Sequence, residues 1–281
     1  MSKYVNNFSH VDNNCIIIVI SFLWNVLPGG EKLYPQTHVY FSEILIGRQS
    51  DQISLGSILP DMLVGGCFNH SEAHSAGAGI YSFLVKYRSL LDFGQAVLTH
   101  GFVPKGLDYY GDEKYLDYEK GYSFEKARPF IQKTVEACNI PPEMGWWKAH
   151  NIIEMGVELL VGSFGDYSER LKSAFTNRSL ISEVNEMFYA LWRDRNVNFM
   201  NRVERFINLI ELEKPSVESL ARKYRVQMLI KHKVDIDTKK TAHLIYQAAE
   251  SVTGDLSQFF ENTARSVKKN IKELTNGPSG G

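Results

Sequence analysis

Cysteine is scarce in this chain: Cys15, Cys67 and Cys138 stand far apart among 281 residues, and no CxxC pair occurs. This pattern argues against a disulfide framework and a cysteine-rich zinc site, and it fits a reducing compartment. The phosphate-binding pattern GxxxxGK[ST] and the nucleophile pattern GxSxG are also missing. Nucleotide hydrolysis on a P-loop and serine hydrolase chemistry therefore have no support in the sequence.

Charge of one sign is also lacking, because the formal net charge is only -1. We therefore expect no nucleic acid partner. The one long apolar run, "IIIVISFLWNVL" at residues 16–27, is too short to span a bilayer as a helix. Only Lys3 precedes it as a basic residue, and "PGG" follows in place of a signal cleavage site. We expect a cytoplasmic protein; the alternatives are a secreted one, if this run is a signal peptide, or one that contacts a membrane surface through it.

Alternating apolar and polar runs are few, and no Asn-Gly or Asp-Gly hairpin joins two of them. Apolar residues recur instead at helical spacing from "THVYFSEILIGRQ" onward. The sequence predicts an all-α, multi-helix bundle with long amphipathic C-terminal helices. After an N-terminal extension (1–33), we expect a metal-binding helical core (34–165), further helices of the same or an appended lobe (166–274), and a flexible tail (275–281).

Four segments carry specific predictions. "IYSFLVKYRSLLDFGQAVLTHGF" is predicted as one apolar helix that ends near Gly101, and "PPEMGWWKAHNIIEMGVELLVGS" as a helix that begins at its prolines. "SLISEVNEMFYALWRDRNVNFMNRVERFINLIE" is predicted as one long amphipathic helix, with two more after it and a break near Gly254. "VPKGLDYYGDEKYLDYEKG" is rich in turn formers and is predicted as a loop.

Histidine and carboxylate residues lie at the apolar edges of several predicted helices. His150 and Glu154 are four residues apart, so a helix places both on one face, where they can chelate a divalent ion; a surface ion pair is the alternative. His38 and Asp108 also have ordinary alternatives, as a buried histidine and a turn residue. His100 ends the most apolar segment, and a buried imidazole there requires a hydrogen-bond partner or a metal.

Taken together, these side chains indicate a metal site, because facing helices of a bundle build metal sites from inward-pointing ligands. Ligands without cysteine favour zinc, with manganese or iron as further candidates. More than four ligands allow two neighbouring ions, an arrangement suited to phosphoester hydrolysis.

The stretches "THVYFSEIL", "LGSILPDM" and "HNIIE", with a histidine after the aspartate and another that ends an apolar helix, resemble the zinc-dependent phospholipase C family. That family is related in fold to the P1-type nucleases, and the resemblance spans about residues 37–154. It implies an all-α fold of the phospholipase C / P1 nuclease type with metals in a cleft. The ligands it implies are His38, Asp61, His100, His150 and Glu154.

Two positions of the implied ligand set stay open. One more ligand is His70 or His74, and the nearness of His70 to Asp61 favours His70. The family pattern expects an aspartate four residues after His100, where this chain has Pro104, so Asp108 is the nearest aspartate. The family's N-terminal tryptophan also has no counterpart. We therefore expect one or two zinc ions, or other divalent transition metals, and not three.

These observations predict a metal-dependent hydrolase that cleaves a phosphodiester of a small molecule or a phospholipid with metal-activated water. Asp61 has a second candidate role as the general base on that water. An HD-type phosphohydrolase requires an adjacent His-Asp dipeptide, which does not occur. The alternative is a non-catalytic helical binding or scaffold protein that keeps a structural or vestigial metal.

Overall fold

The computed structural model describes residues 34–276, apart from residues 66, 87, 196, 208 and 209. Its regular elements are all helical, and within the described part no strand forms beyond one isolated bridge between Gly65 and Phe68. The all-α prediction is confirmed. The apolar run at residues 16–27 and the tail from residue 277 lie outside the described residues.

Nine α-helices make up the first half of the described chain. They are α1 Pro35–Ile46, α2 Asp51–Ser57, α3 Leu59–Leu63, α4 His70–Ser75, α5 Gly77–Leu84, α6 Leu91–Val97, α7 Tyr122–Ala127, α8 Ile131–Cys138 and α9 Gly145–Phe164. Short 3₁₀ turns occupy Arg88–Leu90, Arg128–Phe130 and Pro142–Met144, and a π-helix occupies Tyr109–Glu113. The π-helix lies in the segment that the sequence predicted as a loop.

Six α-helices follow. They are α10 Tyr167–Thr176, α11 Arg178–Leu191, α12 Phe199–Ile207, α13 Val217–His232, α14 Thr238–Val252 and α15 Leu256–Thr275. The end of α14 at Val252 and the start of α15 at Leu256 confirm the predicted break near Gly254. None of the helices in the described part is both long and apolar enough to cross a lipid bilayer.

The segments at residues 80–102 and 179–211 were each predicted as one long helix. Each is divided into two helices, so those predictions are wrong. A straight helix would hold Leu84 and Gly94 about 15 Å apart, but a Cβ added at Gly94 would lie 3.1 Å from Leu84. The chain therefore folds back, and α5 packs on α6. In the same way the rings of Phe188 and Phe199 are in contact, at 5.3 Å between centroids, because α11 and α12 fold against each other. Burial of two apolar faces against one another outweighs continuous helix in both places.

Helix α9 lies at the centre of the fold and packs against α1, α7, α8 and α14. Gly156 permits the close approach of α14, because a Cβ there would lie 2.6 Å from the backbone nitrogen of Ala249. Helix α9 thereby reaches several neighbours at once. Its continuation through "HNIIE" is confirmed, but the α-helix begins at Gly145 and not at the prolines, because a 3₁₀ turn occupies Pro142–Met144.

The buried carboxylate of Glu158 on α9 fixes the start of α1. Its oxygens accept hydrogen bonds from the backbone N–H of Gln36 at 3.0 Å, and from the backbone N–H and hydroxyl of Thr37 at 2.8 and 2.6 Å. The first N–H groups of a helix have no partner within the helix, so an acceptor there stabilises it. This contact sets the position of His38, the next residue.

Candidate metal centre

Four buried side chains meet in the interior, and we call them the first ligand group: Asp61, His74, His100 and Asp108. One ligand atom from each lies within 4.8 Å of all the others. Nε2 of His74 is 3.3 Å from Asp61 Oδ1 and 3.2 Å from Asp108 Oδ2. Nε2 of His100 is 3.7 and 3.2 Å from the same two oxygens. The group could hold a metal ion.

The backbone orients both imidazoles of the first ligand group. Nδ1 of His74 lies 3.0 Å from the carbonyl oxygen of His70, and Nδ1 of His100 lies 2.5 Å from that of Ser57. A carbonyl only accepts, so each Nδ1 carries the hydrogen and each Nε2 is directed at the carboxylates. Metal-binding histidines typically donate their other nitrogen to a carbonyl in this manner.

Close backbone contact brings the two histidines together. The N–H of Phe102 donates to the carbonyl of His74 at 2.7 Å. A Cβ at Gly101 would lie 2.1 Å from that same carbonyl oxygen, so only glycine fits there. The N–H of Asp108 in turn donates to the carbonyl of His100 at 2.9 Å, which returns Asp108 to the group.

Arg202 holds the chain that follows Asp61. Its guanidinium donates to the carbonyl oxygens of Met62, Leu63 and Gly65 at 2.9 to 3.2 Å. Met62 and Leu63 end helix α3, where no intrahelical donor is available to their carbonyls, and Gly65 lies just beyond it. The contact joins α12 to the segment between Asp61 and α4.

Electrostatics in the first ligand group favour a bound cation. Burial alone would lower the pKa of His100, but Asp108 and Asp61 outweigh it and raise the pKa to about 10. The pKa of His74 is raised by the same carboxylates against the effect of burial. Burial would raise the pKa of Asp61, but His100 and His74 hold it below its ordinary value. Protons on the imidazoles balance the buried carboxylates here, and a divalent cation can take over that role.

His38 lies at the edge of the first ligand group. Its ring stacks on that of His100 at 3.8 Å between centroids, and its Nε2 is 3.5 Å from Asp108 Oδ1. The structure thus brings together His38, Asp61, His100 and Asp108, as the sequence predicted. The preference for His70 over His74 is wrong: His74 is in the group, and the ring of His70 stacks on it at 4.0 Å. The reason is position along α4: the two rings share one face of the helix, but His74 lies on its buried last turn and His70 lies at its less buried start.

A second ligand group consists of Asp112, His150 and Glu154, again with one ligand atom from each within 4.8 Å of the others. Nε2 of His150 is 3.5 Å from Glu154 Oε2. His150 is buried, which excludes the surface ion pair considered above. Sequence reasoning missed Asp112. Its only signal was its position four residues after Asp108, in a stretch that resembles a loop.

A cavity of about 40 Å³ adjoins both ligand groups, and its walls include His38, Asp108 and Glu154. A single water molecule requires roughly 10–15 Å³, so water fits there. Asp61 is not one of the residues that line the cavity. Water can therefore meet one carboxylate of each group, Asp108 and Glu154, at the same place.

The arrangement supplies imidazole and carboxylate donors only, which suits zinc and other divalent ions. No family model, curated protein or solved structure matches the chain. Evidence on the function of this chain therefore comes from the geometry of the two ligand groups. The resemblance to the zinc-dependent phospholipases C stays a prediction.

Proposed function

We propose that this chain is a metal-dependent hydrolase that cleaves a phosphodiester of a small molecule or a lipid, with water as the nucleophile. The observation that carries the proposal is the first ligand group. Two oriented imidazoles and two carboxylates are buried together beside a water-sized cavity. The order of these ligands along the chain, and their resemblance to the phospholipase C / P1 nuclease pattern, favour zinc and this reaction class.

In this proposal the first ligand group holds one divalent ion and the second ligand group holds another. Such ions supply Lewis-acid activation of water and neutralise charge that develops on a phosphoester. The chain's own contribution is to fix the ligands: the carbonyls of His70 and Ser57 orient two imidazoles, and that of Trp147 orients His150. These carbonyls would thereby fix which imidazole nitrogen each histidine presents to a bound ion.

We assign Asp61 to ion binding and not to proton transfer. It is 2% exposed and does not line the cavity, whereas Glu154 does. A general base has to lie within hydrogen-bond reach of the water that it deprotonates. Access therefore favours a carboxylate at the cavity wall, Glu154 or Asp108, which would hold its ion with one oxygen and accept the proton on the other.

The aromatic residues near the centre divide into packing and candidate substrate contacts. Tyr115 is buried against Tyr122 and Phe259, which is ordinary core packing. Trp147 is 55% exposed, and its ring meets that of His150 edge-on at 5.2 Å. Its free apolar face beside the second ligand group suits the alcohol portion of a phosphodiester.

Hydrolysis assays on chelator-stripped and zinc-reloaded protein test the proposal. Bis(p-nitrophenyl) phosphate represents a small phosphodiester, and a short-chain phosphatidylcholine represents a lipid. We expect zinc to restore cleavage, and His100→Ala to reduce it by at least about 100-fold, because loss of a ligand exceeds the effect of losing an outer-shell partner. His243→Ala, at an exposed position on α14, is the matched control. Stoichiometric zinc without cleavage of either compound would support the non-catalytic binding protein instead.

A further inference from the structure

The two ligand groups differ in their donor atoms. The first combines two imidazoles with two carboxylates, while the second combines one imidazole, that of His150, with the carboxylates of Asp112 and Glu154. Imidazole ligands suit zinc, copper and iron, whereas carboxylates suit magnesium, calcium and manganese. The second ligand group is therefore the harder of the two.

The π-helix Tyr109–Glu113 assigns one carboxylate to each ligand group. Asp108 immediately precedes it and joins the first group, while Asp112 lies within it and joins the second. The carbonyl of Asp112 accepts from the N–H of Gly121 at 2.9 Å, and a Cβ at Gly121 would lie 2.2 Å from the nitrogen of Asp112. This close contact holds the backbone of Asp112 in place. π-Helical turns occur frequently at functional sites.

The single imidazole of the second ligand group is tightly oriented. The ring of His150 stacks on Phe124 at 4.2 Å with an angle of 8° between their planes. Its Nδ1 lies 2.5 Å from the carbonyl oxygen of Trp147, so its Nε2 is the nitrogen that faces Glu154. The group thus offers an oriented nitrogen ligand beside two carboxylates, and it is more than a cluster of acidic residues.

Other described histidines do not add a second imidazole to this group. His232 on α13 directs its Nε2 at Lys148, 2.8 Å away, and His243 is exposed on α14. His38 lies beside Asp108 and the first ligand group. Asp112 therefore occupies the ligand position that decides whether the second group has one imidazole or two.

We propose that Asp112 gives the second ligand group a preference for a harder ion, manganese(II), relative to the first group. The centre then holds zinc in the first group and manganese(II) in the second. This proposal rests on one part of the proposed function, namely that both ligand groups bind an ion. It does not require that the protein catalyse a reaction. Zinc outcompetes manganese(II) at most sites of one kind, so the proposal concerns the difference between the two groups.

Metal competition on the full-length chain tests this selectivity. Chelator-stripped protein receives two equivalents of zinc together with excess manganese(II), and elemental analysis with electron paramagnetic resonance counts the bound ions. We expect one zinc and one manganese(II) per chain. Asp112→His supplies a second imidazole to the second ligand group. We expect the zinc concentration that displaces half of the manganese(II) to fall by at least about tenfold, because changes to outer-shell partners alone alter metal affinity 10–100-fold.

Two further variants keep the test decisive if Asp112→His does not fold. Asp112→Asn keeps the shape of the side chain and should lose manganese(II) while zinc stays in the first group. Asp117→His introduces a histidine at an exposed position in the same segment, and it should leave the competition unchanged.

The proposal is wrong if the wild-type chain takes up two zinc ions and no manganese(II), or if Asp112→Asn still binds manganese(II). These results are separable from those of the hydrolysis assay. One zinc and one manganese(II) without phosphodiester cleavage would overturn the proposed function and leave this inference in place. Two zinc ions with cleavage would do the reverse.

Discussion

Nδ1 of His74 lies 3.0 Å from the carbonyl oxygen of His70, one turn earlier on the same short helix. The carbonyl can only accept, so Nδ1 donates and Nε2 faces Asp61 and Asp108. The two histidines thus have different parts in the site. His70 provides a main-chain oxygen, whereas His74 provides its ring.

This relationship predicts opposite results for two alanine variants. His74→Ala removes a ligand and should abolish retention of the first zinc ion after dialysis. His70→Ala keeps the carbonyl oxygen that orients His74, so the zinc content should stay within about twofold of the wild type, well under the 10–100-fold effects of losing an outer-shell partner. Elemental analysis of the two purified variants provides the measurement, and equal zinc loss in both would contradict the assignment.

The sequence predicted the composition of the site better than its arrangement. Helical spacing paired His150 with Glu154, which the structure places 3.5 Å apart, and apolar context selected Asp61 and His100, which the structure brings into one cluster. His70 and His74 share one side of α4, so the choice between them depended on which turn of that helix meets Gly101, a tertiary contact that spacing does not encode. Local periodicity identifies a face, but not what that face packs against.

The segment at residues 103–121 was beyond sequence reasoning for a related reason. Its glycines, proline and tyrosines favour a loop, and most of it is irregular. The π-helix within it has no 3.6-residue period that a pattern search would detect. Asp108 entered the prediction only through its nearness to His100, and Asp112 did not enter it.

The carboxylate of Glu158 offers a test of how α9 supports α1. Glu158→Ala leaves the backbone N–H groups of Gln36 and Thr37 without their acceptor in a buried place. We expect the free energy of unfolding to fall by about 3 kcal/mol, because three buried hydrogen bonds to this carboxyl group are lost. Urea unfolding measures the change. Glu186→Ala, at an exposed site on α11, should alter it by less than about 0.5 kcal/mol, and equal effects would contradict the argument.

Glu43 makes stability depend on pH. Burial raises its pKa from 4.5 to about 7, and attraction to Arg170 opposes this only in part. Among the described residues its Oε1 atom is buried without a hydrogen-bond partner, which favours the protonated form. Between pH 4.5 and 7 the folded chain keeps a proton that the unfolded chain has released, so stability falls as pH rises through this window.

Comparison with Glu43→Gln isolates this dependence, because glutamine does not titrate. Relative to the variant, the wild-type chain should lose up to about 3 kcal/mol of unfolding free energy between pH 4.5 and 7. Urea unfolding at half-unit pH steps gives the two curves, and Glu186→Gln should run parallel to the wild type. Parallel curves for Glu43→Gln, or a rise with pH, would show that burial does not control this carboxyl.

Gly101 determines whether α4 and the segment after α6 can approach closely enough to form the first ligand group. In Gly101→Ala the new methyl group would meet the carbonyl oxygen of His74, at 2.1 Å in the present geometry, so the backbone has to separate. We expect this variant to unfold at lower urea and to lose zinc, since His74 moves away from His100. Gly254→Ala is the matched control, because a Cβ there meets no atom within 4 Å. That variant should keep its zinc and its stability, or gain a few tenths of a kcal/mol from reduced freedom of the unfolded chain. Retention of zinc by Gly101→Ala would show that the site tolerates a wider separation than the close packing here indicates.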